Sequence, residues 1–270
     1  MTSTGVSIAA AVLFISCVCL PAQWLDYPTA GVPKTPNGSP NLKAPTPRTG
    51  DGKPDLSGIW EPEKNKPCPL DGCPDGPAPQ EFFDIGWGLK GGLPYQPWAR
   101  DLVKERMIQN AKDDPITHCI PGGIAKMHTV PLFKKIVQAP GLIVILNERD
   151  AMYRQIFLDG RPLPVDPQPS FNGYSTGKWE GDTLVVQSIG FRDGLWLDRN
   201  GSPLTDAAKM TERFHRVDYG HLEIQLTVDD PKAYTAPWTV KLNQTIVLNS
   251  ELIDYFCMEN EKDLAHMVGK

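Results

Sequence analysis

From Phe133 onward the chain reads as short apolar runs broken by turn residues. In His221 to Val228, Leu222, Ile224, Leu226 and Val228 fall on one parity and Glu223, Gln225 and Thr227 on the other. That period of two is the mark of a strand with one covered face. Leu142 to Leu146 is apolar on both parities, as a strand covered on each side would be. Further strands are expected at 133–138, 152–158, 174–179, 183–189, 209–217, 238–249 and 252–257. The turns between them are explicit: Ala139-Pro-Gly141, Glu180-Gly-Asp182 and Asp218-Tyr-Gly220. One segment has helical spacing instead, from Trp98 to Lys112. There Leu102, Val103, Met107 and Ala111 oppose Arg100, Lys104, Glu105 and Gln109, and Asp113-Asp-Pro115 stops the run.

Short connections cannot make parallel crossovers, so the sheet is expected to be antiparallel. The fold class that follows is mainly β: an antiparallel β-barrel, lipocalin-like, or a sandwich, with one packed helix over 98–112. The strand domain is expected over 56–270. Before it, 15 prolines between Tyr27 and Pro97 exclude a regular helix or a central strand. Thr35-Pro-Asn-Gly-Ser-Pro-Asn-Leu42 recurs fourteen residues later as Thr49-Gly-Asp-Gly-Lys-Pro-Asp-Leu56. A turn-and-extend unit used twice makes residues 23–55 an extended arm, lying over the domain, reaching a second copy in a homo-oligomer, or acting as a tether.

Residues 6–20, VSIAAAVLFISCVCL, carry no charge. They are short for a span, which takes about 20 residues, and match a signal-peptide core with cleavage after Ala22. The reading is therefore a signal peptide over 1–22 and a secreted or periplasmic protein with no integral span after cleavage, a retained anchor being the alternative. Four cysteines then remain. An even number in an exported chain favours disulfides, with Cys68–Cys73 local and Cys119–Cys257 long-range; free thiols or a metal site are the alternatives. The His118, Cys119 and His128 group lacks metal-ligand spacing, so no metal and no cofactor are expected. A net charge of −5 offers no basic footprint for nucleic acid. No Walker loop is present, and no GxGxxG opens a helix.

Two resemblances arise from motifs. Gly58-Ile-Trp60 resembles the first strand of the lipocalin and avidin barrels (calycins), where the Trp closes one barrel end. The string from Lys178 to Val186 with WEGDTLVV, Thr211 to Arg216, Asp229-Asp-Pro231 and Pro237-Trp238 resemble an uncharacterised family of exported bacterial proteins. That resemblance implies export and a β-rich fold, and no activity. Members often carry His after the Pro of a Gly-x-Pro turn, where this chain has Leu204.

Candidate chemistry centres on 211–216. In a strand, Glu212, Phe214 and Arg216 share one face, and Thr211, Arg213 and His215 the other. Either face could line a cavity, or stand as a solvated face with ion pairs of little worth. Glu148, at the end of an apolar strand, is a candidate desolvated base, with Arg154 a candidate partner. The leading expectation is an exported barrel holding a small, partly apolar or aromatic ligand through Trp60, Arg154, Trp179, Arg216 and Trp238. A second is a cofactor-independent hydrolase, lyase or isomerase using Glu148, Glu212, Arg213 and His215. A third is a cell-surface structural or interaction protein.

Overall fold

A computed structural model describes residues 27–63, 81–149 and 151–257. The expected leader, the Cys68–Cys73 bridge and the tail beyond Cys257 lie outside the described residues. The strands are Gly58–Pro62 (β1), Lys134–Ala139 (β2), Leu142–Asn147 (β3), Tyr153–Phe157 (β4), Tyr174–Glu180 (β5), Thr183–Ile189 (β6), Leu195–Trp196 (β7), Pro203–Leu204 (β8), Lys209–Arg216 (β9), His221–Asp229 (β10) and Trp238–Val247 (β11). Nine of them close into a barrel in the order β1-β11-β10-β9-β6-β5-β4-β3-β2, and β7 pairs with β8 outside it. Closure removes the exposed edges that an open sheet of this size would have to protect.

The expected hairpins form. β5 and β6 turn at Gly181, with Glu180 opposite Thr183, and β9 and β10 turn at 217–220, with Arg216 opposite Leu222. One seam departs from the all-antiparallel expectation. β4 and β5 run parallel, with Ile156 opposite Ser175 and Phe157 opposite Thr176. The cause is the connection over 158–173, which is long enough to return the chain to the same barrel end. Pro162, Pro164, Pro167 and Pro169 keep it extended and out of the ladder.

The helix expected over 98–112 is Pro97–Ile108 (α1), ending where Asn110 and Ala111 take positive φ. A second helix, Gly123–Thr129 (α2), stands in what reads as a Pro/Gly loop, and every one of its residues is buried. Its seven residues are too few to show a period, and Pro121-Gly122-Gly123 disguises its start. Gly123 has φ +74°, and a Cβ there would lie 2.9 Å from the Phe171 carbonyl oxygen. Only glycine fits that entry. The strand expected over 252–257 is a single parallel bridge, Arg149 to Tyr255. This segment is held covalently instead: the Cys119 and Cys257 sulfurs are 2.09 Å apart, with Cα atoms at 5.5 Å.

The sequence repeat is also a structural repeat. Thr35 N–H donates to Ser39 O and Gly38 N–H to Thr35 O; Thr49 N–H donates to Lys53 O and Gly52 N–H to Thr49 O. The arm lies on one barrel end, where Gly220 and Tyr219 donate to the carbonyls of Leu42 and Ala44. Beneath it, Trp60 is fully buried and its indole donates to Leu56 O at 3.0 Å. Arg216 lies over that ring at 4.9 Å and donates to the carbonyls of Asp55, Ser57, Asp218 and Tyr219. Apolar strand residues such as Ile145, Ile156, Phe214, Leu222 and Ile224 fill the lumen between this end and α2. Among the described residues the interior is a packed core.

The parallel seam has only two register pairs, whereas β9–β10 has eight. Hydrogen-exchange mass spectrometry should therefore show β4 and β5 peptides exchanging faster than β9 and β10 peptides. Uniform protection around the ring would contradict this.

Candidate functional site

Period-two alternation sends Met210, Glu212, Phe214 and Arg216 of β9 inward and leaves Thr211, Arg213 and His215 outside. Glu212, midway along the strand, is thereby placed in a low-dielectric core with no exposure. It persists as a carboxylate because Arg154 of β4, 2% exposed, reaches it from the opposite wall. Arg154 Nη1 donates to Glu212 Oε1 at 2.9 Å, and Nη2 donates to Oε2. A bidentate pair of this kind is what a buried charge requires. The Nε proton and Nη2 make further bonds. Nε donates to Ser175 Oγ at 3.2 Å, and Nη2 to Ser188 Oγ at 3.0 Å. The two serine hydroxyls meet at 2.8 Å.

His128 completes the cluster from α2. Its Nε2 stands 2.8 Å from Glu212 Oε1, and the ring has no solvent exposure. Burial drives the imidazole pKa down to about 4, against the pull of Glu212 toward the charged form. For Glu212, burial would raise the pKa, but Arg154 and the His128 hydrogen bond outweigh it and bring it to about 2. At neutral pH the pair is thus a carboxylate and a neutral imidazole whose Nε2–H donates. The other ring nitrogen, Nδ1, is buried and without a partner. Beside this cluster Lys134 Nζ donates to Gln244 Oε1, and the Gln244 amide donates to His128 O at 3.1 Å. Burial lowers the Lys134 pKa to about 7. A cavity of about 40 Å³ lies at this end, lined among others by Glu63, Glu81, His128 and Gln244. It has room for a water or two and for nothing larger.

Other sequence-selected residues are dispersed. Glu148 is buried, but its oxygens accept from the amides of Phe133 at 3.3 Å and Ile253 at 3.1 Å. Arg213 is on the outer wall, 3.1 Å from Glu180, and His215 is exposed on the same side. Glu148, Glu212, Arg213 and His215 therefore share no cavity. Trp60 and Arg216 meet at the closed end, while Arg154 sits with Glu212. Trp179 packs half-buried against the core, and Trp238 is buried edge-on to Tyr234 at 5.4 Å. Sequence reading weighs His128 only with His118 and Cys119 as a metal group, and misses its place beside Glu212 because it lies on the unrecognised helix. Ser175, at the centre of Gly173-Tyr-Ser-Thr-Gly177, and Ser188, a polar residue in an apolar run, also go unselected in the sequence reading. Among the described residues no group of three His, Cys, Asp or Glu side chains could hold a metal ion.

A larger concavity lies outside the barrel. It measures about 440 Å³ and sits on the outer wall of β6, β9 and β10, with Leu163 of the proline-rich connection at its edge. Gln187, Thr211 and Thr227 point into the outer face here, with Lys209, Asp229 and Ile189 toward one end. Its volume is that of a small-molecule site. Comparison with family models, with curated proteins and with solved structures finds no match.

The buried imidazole gives a pH test. His128 has a folded pKa near 4 against an ordinary value of 6.5, so its contribution is complete above 6.5 and lost as pH falls toward 4. The loss amounts to about 3 kcal/mol. Asp198, raised by burial to about 6, acts in the opposite sense over part of this range, so the comparison must be with a variant. Urea unfolding from pH 7 to pH 4 should show the wild type losing about 3 kcal/mol relative to His128→Gln. Parallel pH profiles for the two proteins would refute the neutral buried imidazole.

Proposed function

We propose that this protein is an exported binding protein that holds a small, partly apolar ligand on the outer wall of its barrel. The observation that carries the reading is the 440 Å³ cleft between Leu163 and the faces of Gln187, Thr211 and Thr227. It combines apolar contacts from Leu163 and Ile189 with hydroxyl and amide groups, which is the usual make-up of a ligand site. The leader-like segment at 6–20 supports export.

The buried cluster supports binding over acid–base catalysis. A proton carrier working near neutral pH needs a pKa near neutral. His128 near 4 and Glu212 near 2 stay in one protonation state there, and Lys134, near 7, is fully buried with its ammonium on Gln244. His128 and Glu212 are enclosed by packed side chains, and the adjoining cavity of about 40 Å³ has no room for an organic substrate. Their arrangement suits a strut that fixes the wall carrying the cleft.

The dye 8-anilinonaphthalene-1-sulfonate has an apolar ring system and serves as a probe. Fluorescence titration of the full chain should give one saturable site. Thr211→Trp, which fills the cleft with a residue favourable in strands, should weaken binding about tenfold or more, or about 1.4 kcal/mol. Absence of saturable binding, or binding indifferent to Thr211→Trp, would overturn the assignment of the cleft.

A further inference from the structure

The outer wall has a pattern that extends beyond the cleft. Strand register places Thr176 opposite Gln187, Gln187 opposite Thr211, Thr211 opposite Thr227, and Thr227 opposite Thr239. Ser175, Ser188, Glu212, Leu226 and Trp238 are the buried neighbours of these residues, so all five members of the row face outward. The result is a continuous uncharged track across β5, β6, β9, β10 and β11. It presents one hydroxyl or amide per strand, spaced about 4.8 Å apart. Thr227 and Thr239 hydroxyls bond to each other at 2.7 Å. Among the described residues, the side chains of Thr176, Gln187 and Thr211 make no hydrogen bond to protein.

Two concavities lie along the track. The 440 Å³ cleft edged by Leu163 covers its middle members, Gln187, Thr211 and Thr227. At one end, Thr239 opens a second groove of about 280 Å³, lined by Trp87, Leu89 and Lys241. Trp87 is 47% exposed there. Its loop is nonetheless anchored: the Ile85 amide donates to the buried Asp198 carboxylate at 3.0 Å, and Arg199 and Asn200 amides donate to Phe82 O and Phe83 O. The aromatic surface is therefore presented on a fixed support. Of the charges flanking the track, Lys241 pairs with Glu223 at 2.8 Å and Arg213 with Glu180 at 3.1 Å, while Glu81 also lines the second groove. Lys209 and Asp229 face each other across the β9–β10 register.

We infer that this track binds a linear neutral oligosaccharide laid across the strands, with one sugar ring stacked on Trp87. A polyhydroxylated chain answers the unpartnered Thr176 and Thr211 hydroxyls, the Gln187 amide and the outward Thr227–Thr239 hydroxyl pair. Its apolar C–H faces answer Trp87 and Leu163, and the row itself carries no charge to select a charged ligand. The inference rests on the cleft being a binding site, and it names the ligand class for that site and its extension.

Isothermal titration calorimetry on the full chain, with cellohexaose, xylohexaose, maltohexaose and the matching monosaccharides, tests it. At least one hexasaccharide should bind saturably and about tenfold or more tighter than its monosaccharide. Trp87→Ala should weaken that hexasaccharide about tenfold, and so should Thr227→Val, which keeps shape and removes a hydroxyl. Unchanged urea unfolding curves would certify both variants as folded. If no hexasaccharide binds while the naphthalene dye still titrates the cleft, the ligand class is wrong and the cleft stands. If neither binds, both readings fall. A hexasaccharide that binds no tighter than its monosaccharide, or that is indifferent to Trp87→Ala, would overturn the track.

Discussion

A carboxylate with no solvent exposure, facing a guanidinium across the inside of a β-barrel, constrains everything around it. Neither Glu212 nor Arg154 could remain charged there alone, because water cannot reach either one. Pairing them requires β9 and β4, which are not neighbours in the sheet, to stand at a fixed separation with their inward parity set. Ser175 of β5 and Ser188 of β6 take up the protons left on the guanidinium. Four of the nine barrel strands, β4, β5, β6 and β9, are thereby locked in register from within. They include the parallel β4–β5 seam, the weakest ladder in the ring.

The same pair takes part in closing one barrel end. His128 gives its Nε2 proton to Glu212, which docks α2 over one end. At the other end, Arg216 covers Trp60 and collects four backbone carbonyls from the arm and the β9–β10 turn. With both ends stoppered and the lumen full, the inside of this barrel has a mechanical role. On the reading proposed here, recognition belongs to the outer wall. There, residues of the opposite parity, Gln187, Thr211 and Thr227, inherit the precise spacing that the inner pair imposes.

Much of this was legible in the sequence, because alternation is a local signal. The parity split within 211–216 correctly separated Glu212 and Arg216 from Arg213 and His215, and the turns at Gly181 and Gly220 stand where turn chemistry puts them. Which parity faces inward depends on packing against distant strands, and no residue in that segment states it. Three features escaped for definite reasons. The helix at Gly123–Thr129 is one and a half to two turns long by helical geometry, too brief for periodicity to show. The parallel seam depends on the path of a proline-rich connection, which turn rules alone do not trace. The partner of Glu212 comes from a residue 84 positions away, and such a contact leaves no mark in a single sequence.

A double-mutant cycle on Arg154 and Glu212, read by urea unfolding at neutral pH, addresses the strut directly. Arg154→Met and Glu212→Leu should each cost about 3–5 kcal/mol, since each strands a buried charge. The double variant, with no charge left unpaired, should cost far less than their sum and retain dye binding in the outer cleft. Single costs below about 1 kcal/mol that simply add would contradict a charge pair holding the wall together, as would loss of dye binding in a double variant of full stability.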